Sequence, residues 1–176
     1  MGNALNIGAF SVDAITNAGI ADEAFGEEHY DAYAMAALAL GKRVTRDTAT
    51  LPAGVATPYF TVTGGPILLV QIYGVVTTIV QTQACNAKLI ANPTTGSDVD
   101  LCAVLNITAA AAGSFFTITG TVADALLNLV AVKAMVTPLI IPVGSIDLSM
   151  SATNTGATRW VAHYLPLEST SVLAAA

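Results

Sequence analysis

The stretch that most constrains this chain is "PILLVQIYGVVTTIV", residues 66–80. It is apolar at odd and even positions alike. Within "ILLVQIY", Ile67, Leu69, Gln71 and Tyr73 share one face of a strand, and Leu68, Val70 and Ile72 share the other, because strand side chains alternate. A strand that is apolar on both faces belongs between two layers. A membrane span is the rival reading, and it fails on length. The run has 15 residues with Gln71, Thr77 and Thr78 inside it, whereas a spanning helix needs about 20 apolar residues. The other long apolar run, Val122 to Val143, is interrupted by Asp124, Lys133, Pro138 and Pro142. Neither run points to a membrane.

The second layer need not come from the same chain. Only 10% of the 176 residues are charged and 54% are apolar, while an average domain is about a quarter charged. Such a chain cannot cover its own surface with polar groups, so part of that surface should face other protein. A stable oligomer or a part of a larger assembly is expected. The net charge is −6, which speaks against nucleic acid, since a binder would show a basic patch. Lys42, Arg43 and Arg46 are the one basic cluster, and they read as the positive end of a helix.

Two regions differ in texture. Residues 1–47 hold ten of the eighteen charges; residues 48–176 are rich in Thr, Val and Gly. "TLPAGVATP" marks the boundary. The first region reads as an extended arm followed by one helix, about 22–40. Asp22 suits the N-cap, acids fill the first turns, and Gly41 suits the C-terminal cap. Tyr30, Tyr33 and Leu38 lie on its apolar stripe and are candidate contact residues. Its later half, "AYAMAALAL", is apolar nearly all round. An arm that docks on a neighbouring molecule is expected.

The second region reads as short strands with turns between them, an antiparallel β-sandwich or barrel. "YFTVT" runs into Gly64-Gly65, a two-residue hairpin signal, and Gly74 reads as a kink or bulge. "CNAKLIA" and "VDLCAVLNI" flank the loop "NPTTGSD" as a hairpin. Matching their apolar faces, with Lys88 against Asp100, turns Cys85 and Cys102 to opposite faces and leaves them unbonded. In "TRWVAHYL", Trp160, Ala162 and Tyr164 share one face, and Arg159, Val161 and His163 the other. "VADALLNLVAVKAMV" fits a helix or strands equally.

Chemistry-bearing patterns are sparse. Nucleophile-elbow, zinc-protease, dinucleotide-binding and phosphate-loop motifs do not occur. Glu27, His29 and Asp31 do not share one helix face, and Asp98 with Asp100 reads as a turn and an exposed strand face. No catalytic residue, metal or cofactor is assigned, and an enzyme is not expected. Candidate contact residues in the second region are Leu68, Val70, Ile72, Trp160 and Tyr164. The opening "MGNALNIGAF" has no basic start and no long apolar run, so no secretory signal is expected.

Residues 82–176, with "NAKLIANPTTGSDVDLCAVLNI", "ITGTVADAL", "GSIDLSMSATNTGATRWVAHYLPL" and the tail "VLAAA", resemble a family of small structural proteins of tailed bacteriophages. The resemblance reaches back to "LPAGVATPYFTVTGGPILLVQIYGVVTTIVQ" and so covers residues 51–176. It implies a virion component without catalytic motifs, assembled in the bacterial cytoplasm. A capsid decoration, or cement, protein is the role it favours: a homotrimer on the capsid surface bridging subunits of the major capsid protein. The alternatives are a tail, collar or head-fibre component, or a carbohydrate-binding module for host attachment with Trp160, Tyr164 or Tyr73 as its platform.

Overall fold

The computed structural model describes residues 40–52, 54–129 and 135–176. The expected helix, with Tyr30, Tyr33 and Leu38, lies outside the described residues apart from its end at Leu40. Within them run twelve strands: β1 (Lys42–Thr50), β2 (Thr57–Thr63), β3 (Ile67–Thr78), β4 (Asn86–Pro93), β5 (Val99–Asp100), β6 (Leu105–Asn106), β7 (Phe115–Thr117), β8 (Leu127–Leu129), β9 (Leu139–Ile141), β10 (Gly144–Met150), β11 (Ala157–Pro166) and β12 (Val172–Ala175). They form two antiparallel sheets packed as a sandwich. The first has the order β1–β11–β3–β7–β8, with β9 also on β3. The second has the order β12–β2–β10–β4–β5, with β6 also on β4. No helix among the described residues is long and apolar enough to cross a membrane.

The apolar run forms β3, the inner strand to which β11, β7 and β9 all pair. Its two faces differ from the simple alternation. His163 pairs with Gln71 but Tyr164 pairs with Leu69, so Val70 is an extra residue in the ladder. This bulge switches the pleat. Ile67 and Leu69 face the core before it, and Ile72, Gly74 and Val76 after it. Ile72 therefore lies inside, and Gln71 and Tyr73 lie outside. Gly74 is not the bulge. It is the floor on which the Trp160 ring rests: a Cβ at residue 74 would come 2.5 Å from the indole. Trp160 is fully buried, meets the Tyr59 ring edge-on at 5.8 Å, and donates its indole N–H to Thr158 Oγ1 at 3.0 Å. One tryptophan thus joins β11 and β3 of the first sheet to β2 of the second.

Gly64-Gly65 does not close a hairpin. β2 pairs with β10 and β12, whereas β3 belongs to the other sheet. The glycines turn a corner between sheets. Gly64 has φ +76°, and a Cβ there would lie 1.9 Å from the Thr170 carbonyl oxygen, so the position requires glycine. Residues 151–156 make a second corner, from β10 to β11. There the buried Asn154 Oδ1 accepts from the Gln81 and Gly156 backbone N–H groups, at 3.1 Å each.

The β4–β5 hairpin forms as expected, and Lys88 meets Asp100 at 2.7 Å. Ile90, not Lys88, stands directly opposite Asp100, so the ion pair is diagonal. The second strand of the hairpin is not continuous: it breaks between β5 and β6. At the break Cys102 turns inward, and the Leu89 N–H points at its sulfur, 3.4 Å away. Both cysteines are free and both lie in the core, not on opposite faces. They stay apart because Cys85 sits four residues before Leu89, about 13 Å along an extended chain. Burial pushes the Cys102 thiol above its ordinary pKa, which makes it a poor nucleophile.

Lys42, Arg43 and Arg46 belong to a strand and not to the last turn of a helix. They lie on β1, which pairs with β11 and runs across the 47/48 boundary. Arg46 reaches over the open side of the sandwich. Its guanidinium carbon is 4.0 Å from the Tyr59 ring centroid, and its Nε donates to the Ala176 carbonyl at 3.2 Å.

Substituting Gly74→Ala forces a methyl against an indole that has no room to move. We expect a loss of about 1–3 kcal/mol, read as a lower urea midpoint with an unchanged slope. An unchanged midpoint would show that Trp160 is not confined in this way.

Candidate functional site

The pleat that buries Trp160, Ala162 and Tyr164 in the core turns Arg159, Val161, His163 and Leu165 to the other side of the first sheet, where Arg159 and Leu165 are exposed, His163 is half-buried and Val161 is fully covered. Lateral pairing brings further residues beside them. Leu165 stands opposite Leu68, and Leu68 stands opposite Ile140. The three form a row of aliphatic side chains across β11, β3 and β9. Leu165 is 41% exposed and Ile140 is 68% exposed, with Leu68 half-buried between them. Val70 follows Leu68 on the same face. Farther along, the half-buried Tyr73 and Phe115 rings lie 6.4 Å apart. A monomeric sandwich normally keeps its outer faces polar. This outer face is aliphatic over three strands.

The same side of the sheet also carries two arginines, one near the row and one distant from it. Arg43 pairs in register with His163, and Arg159 lies four residues before His163 on β11. Among the described residues the single ion pair is Lys88–Asp100 on the other sheet. Neither Arg43 nor Arg159 meets a carboxylate there. Burial, and then the charge of Arg43, hold His163 below its ordinary pKa. Its Nδ1 is buried with no hydrogen-bond partner.

Of the expected contact residues, Leu68 and Val70 are on this face. Ile72, Trp160 and Tyr164 are not: they are buried in the chain's own core, at 0%, 0% and 3% exposure. The correction follows from the bulge for Ile72. For Trp160 and Tyr164 it follows from which face of β11 meets the second sheet. Two of the three platform candidates for a glycan are thereby inside the protein, and the third, Tyr73, packs against Phe115. Sequence reasoning did not single out Ile140, Leu165 or Arg43 as members of a face. Only strand pairing assembles them, although the aliphatic alternation in "LIIPV" and "HYLPL" was visible.

The second sheet's outer face is different in kind. Asp147 is buried there, and its carboxylate accepts from Ser145 Oγ at 2.5 Å and Asn92 Nδ2 at 3.2 Å. Beside it lies a shallow groove of about 350 Å³ lined by Thr61, Thr63, Asn92, Thr94, Val143 and Ser145, among others. These are small neutral groups whose carboxylate neighbour is already satisfied. No group of three or more His, Cys, Asp or Glu among the described residues could hold a metal.

The chain matches no protein-family model, and no curated protein or solved structure matches it significantly. Function must therefore be argued from the face itself.

Two outcomes test the description. The double substitution Ile140→Glu with Leu165→Glu changes two exposed positions, so thermal stability should move by no more than about 0.5 kcal/mol. If copies associate through this row, the variant should run as a 17.9 kDa species in light scattering and the unmodified chain as a larger one. A second test uses pH. The folded His163 pKa lies below the unfolded value of about 6.5. As pH falls through that unfolded value, the unfolded chain takes up a proton that the folded chain refuses, and stability falls. Above it both states are neutral there and the residue contributes nothing. His163→Gln should therefore lose less melting temperature between pH 7 and pH 5 than the parent chain does. Equal losses would mean that His163 titrates normally.

Proposed function

We propose that this chain is a structural protein of a tailed-bacteriophage virion, a capsid decoration protein that ties subunits of the major capsid protein together. The observation that carries the reading is the aliphatic row Leu165–Leu68–Ile140 on an otherwise charge-poor sandwich. Such a face is an association surface, because contiguous apolar area in water is costly. The resemblance of residues 51–176 to small phage structural proteins supplies the setting. Threefold points of a phage head, where capsid subunits meet, suit a homotrimer whose several weak contacts act together. The chain's work in this reading is mechanical. It adds buried area across subunit boundaries, and so resists the outward pressure of packaged DNA.

The rigid features of the sandwich fit such a part. Tryptophan-centred packing, repeated crossings between the sheets and an arginine across the open side leave little to deform. The glycan-binding alternative is disfavoured by the burial of Trp160 and Tyr164.

The test is to add purified protein to heads that lack it and to sediment the mixture. Saturable binding at hundreds of copies per head supports decoration. Binding at a dozen copies or fewer points to a collar or fibre position. No binding to heads overturns the proposal.

A further inference from the structure

We infer that the folded chain joins two of its own strands covalently, by an ester between the Gln71 side chain and the Thr117 hydroxyl that forms with loss of ammonia. The inference goes beyond the head-binding reading and does not depend on it.

Register brings the two groups together. His163 stands directly opposite Gln71 in the β11–β3 ladder, and Thr117 stands opposite Tyr73 in the β3–β7 ladder. Directly paired residues share a face, as do residues two apart on a strand. Gln71, Tyr73, Thr117 and His163 therefore lie on one side of the first sheet. Thr117 is fully buried there. The Gln71 amide is held at both ends. Its Nε2 donates to Thr117 Oγ1 at 3.2 Å, and its Oε1 accepts from the Met135 backbone N–H at 2.6 Å. Thr117 Oγ1 donates its own proton to the Ile72 carbonyl at 2.8 Å, so a lone pair, not the proton, faces the amide.

A buried hydroxyl held against an amide is a nucleophile beside an acyl group. The amide carbon lies one bond beyond Nε2. It turns its face to Oγ1 by rotation about the terminal side-chain torsion, which is soft. Oγ1 then adds to Cδ, and the charge that develops on Oε1 is met by the Met135 N–H, an oxyanion donor already in place. The Cδ–Nε2 bond breaks, the Cδ–Oγ1 bond remains, and the hydroxyl proton leaves with the nitrogen as ammonia. No further reactant enters. His163 is the group placed to carry that proton. Its half-buried ring lies across the ladder from Gln71, and its Nδ1 is buried without a hydrogen-bond partner. Burial, and then the charge of Arg43, keep it neutral and so able to accept. The bond's place also matters mechanically. The β3–β7 ladder has three residue pairs, from Tyr73–Thr117 to Val75–Phe115, and the ester ties the two strands at one end of it.

The test is the intact mass of the purified full chain, without heads. It should be lower than the mass of its own sequence by one ammonia. Trypsin cuts after Arg46, Lys88 and Lys133, and no other Lys or Arg lies between them. Residues 47–88 and 89–133 should therefore be recovered as one joined species. Mild hydroxylamine, which cleaves esters and leaves amides, should separate them. A chain at the full sequence mass overturns the inference, as does a joined species that hydroxylamine leaves intact. Thr117→Val keeps the side-chain shape and removes the nucleophile, so it should show the full mass and two separate peptides. A deficit that persists in this variant arises at another residue and also overturns the ester. His163→Gln should lose ammonia at least about a hundredfold more slowly in freshly synthesised chain. A parental rate overturns the assignment of His163 as the proton acceptor.

Discussion

The sandwich depends on one contact, the Trp160 indole lying on Gly74 with Tyr59 against its edge. A tryptophan needs a site that takes its full area and satisfies its N–H. Here the missing Cβ of Gly74 makes the room, and Thr158 on the same strand takes the proton donor. Everything near this contact is set by it. Trp160 and Gly74 are cross-strand partners in the β11–β3 ladder, so the ring lies flat over the one residue that leaves it room. Tyr59 is placed by the ring's edge, and Arg46 then caps Tyr59 from β1. Burial raises the Tyr59 phenol pKa, an effect only partly opposed by Thr158 and Arg46, so the ring stays neutral at ordinary pH. The central contact is thus insensitive to pH, and the pH response lies at the surface, with His163.

What the chain shows outward follows from what it hides. Because Trp160, Ala162 and Tyr164 must face inward, Arg159, His163 and Leu165 must face the other way. The apolar outer row is not a leftover of a poorly filled core. It is the other side of strands whose inner side is already complete.

Much of this could be read from residues, and the failures have physical causes. The mainly β sandwich, the β4–β5 hairpin and the two faces of β11 were legible, because alternation in "TRWVAHYL" and turn chemistry in "NPTTGSD" are local signals. The faces of β3 were not. A bulge is visible in a sequence only when polar residues reveal the change of parity, and "ILLVQIY" is apolar on both parities. The Gly64-Gly65 turn was misread for a different reason. A corner and a hairpin use the same backbone chemistry, and the choice between them is made by strands that pair eighty or more residues away. Lys42, Arg43 and Arg46 fit a helix end by sign alone, and β1 is specified by β11, not by its own composition. The candidate face was half legible for the same reason: Leu68 and Val70 sit in one obvious run, while Leu165, Ile140 and Arg43 reach them only through pairing.

The repeated crossings between the sheets also fix how the chain must fold. β2 and β3 are consecutive yet lie in different sheets, as do β10 and β11, and Val172 of β12 pairs with Thr63 of β2. Neither sheet can therefore be laid down as a string of local hairpins. Each needs strands distant in sequence to meet before its ladder closes, so loop-closure entropy is lost early and recovered late. A chain with this wiring folds slowly for its size, and its aliphatic strands wait unpaired while it does. The route to the native sandwich and the route to aggregation then begin from the same exposed segments, and the concentration of newly made chain decides between them.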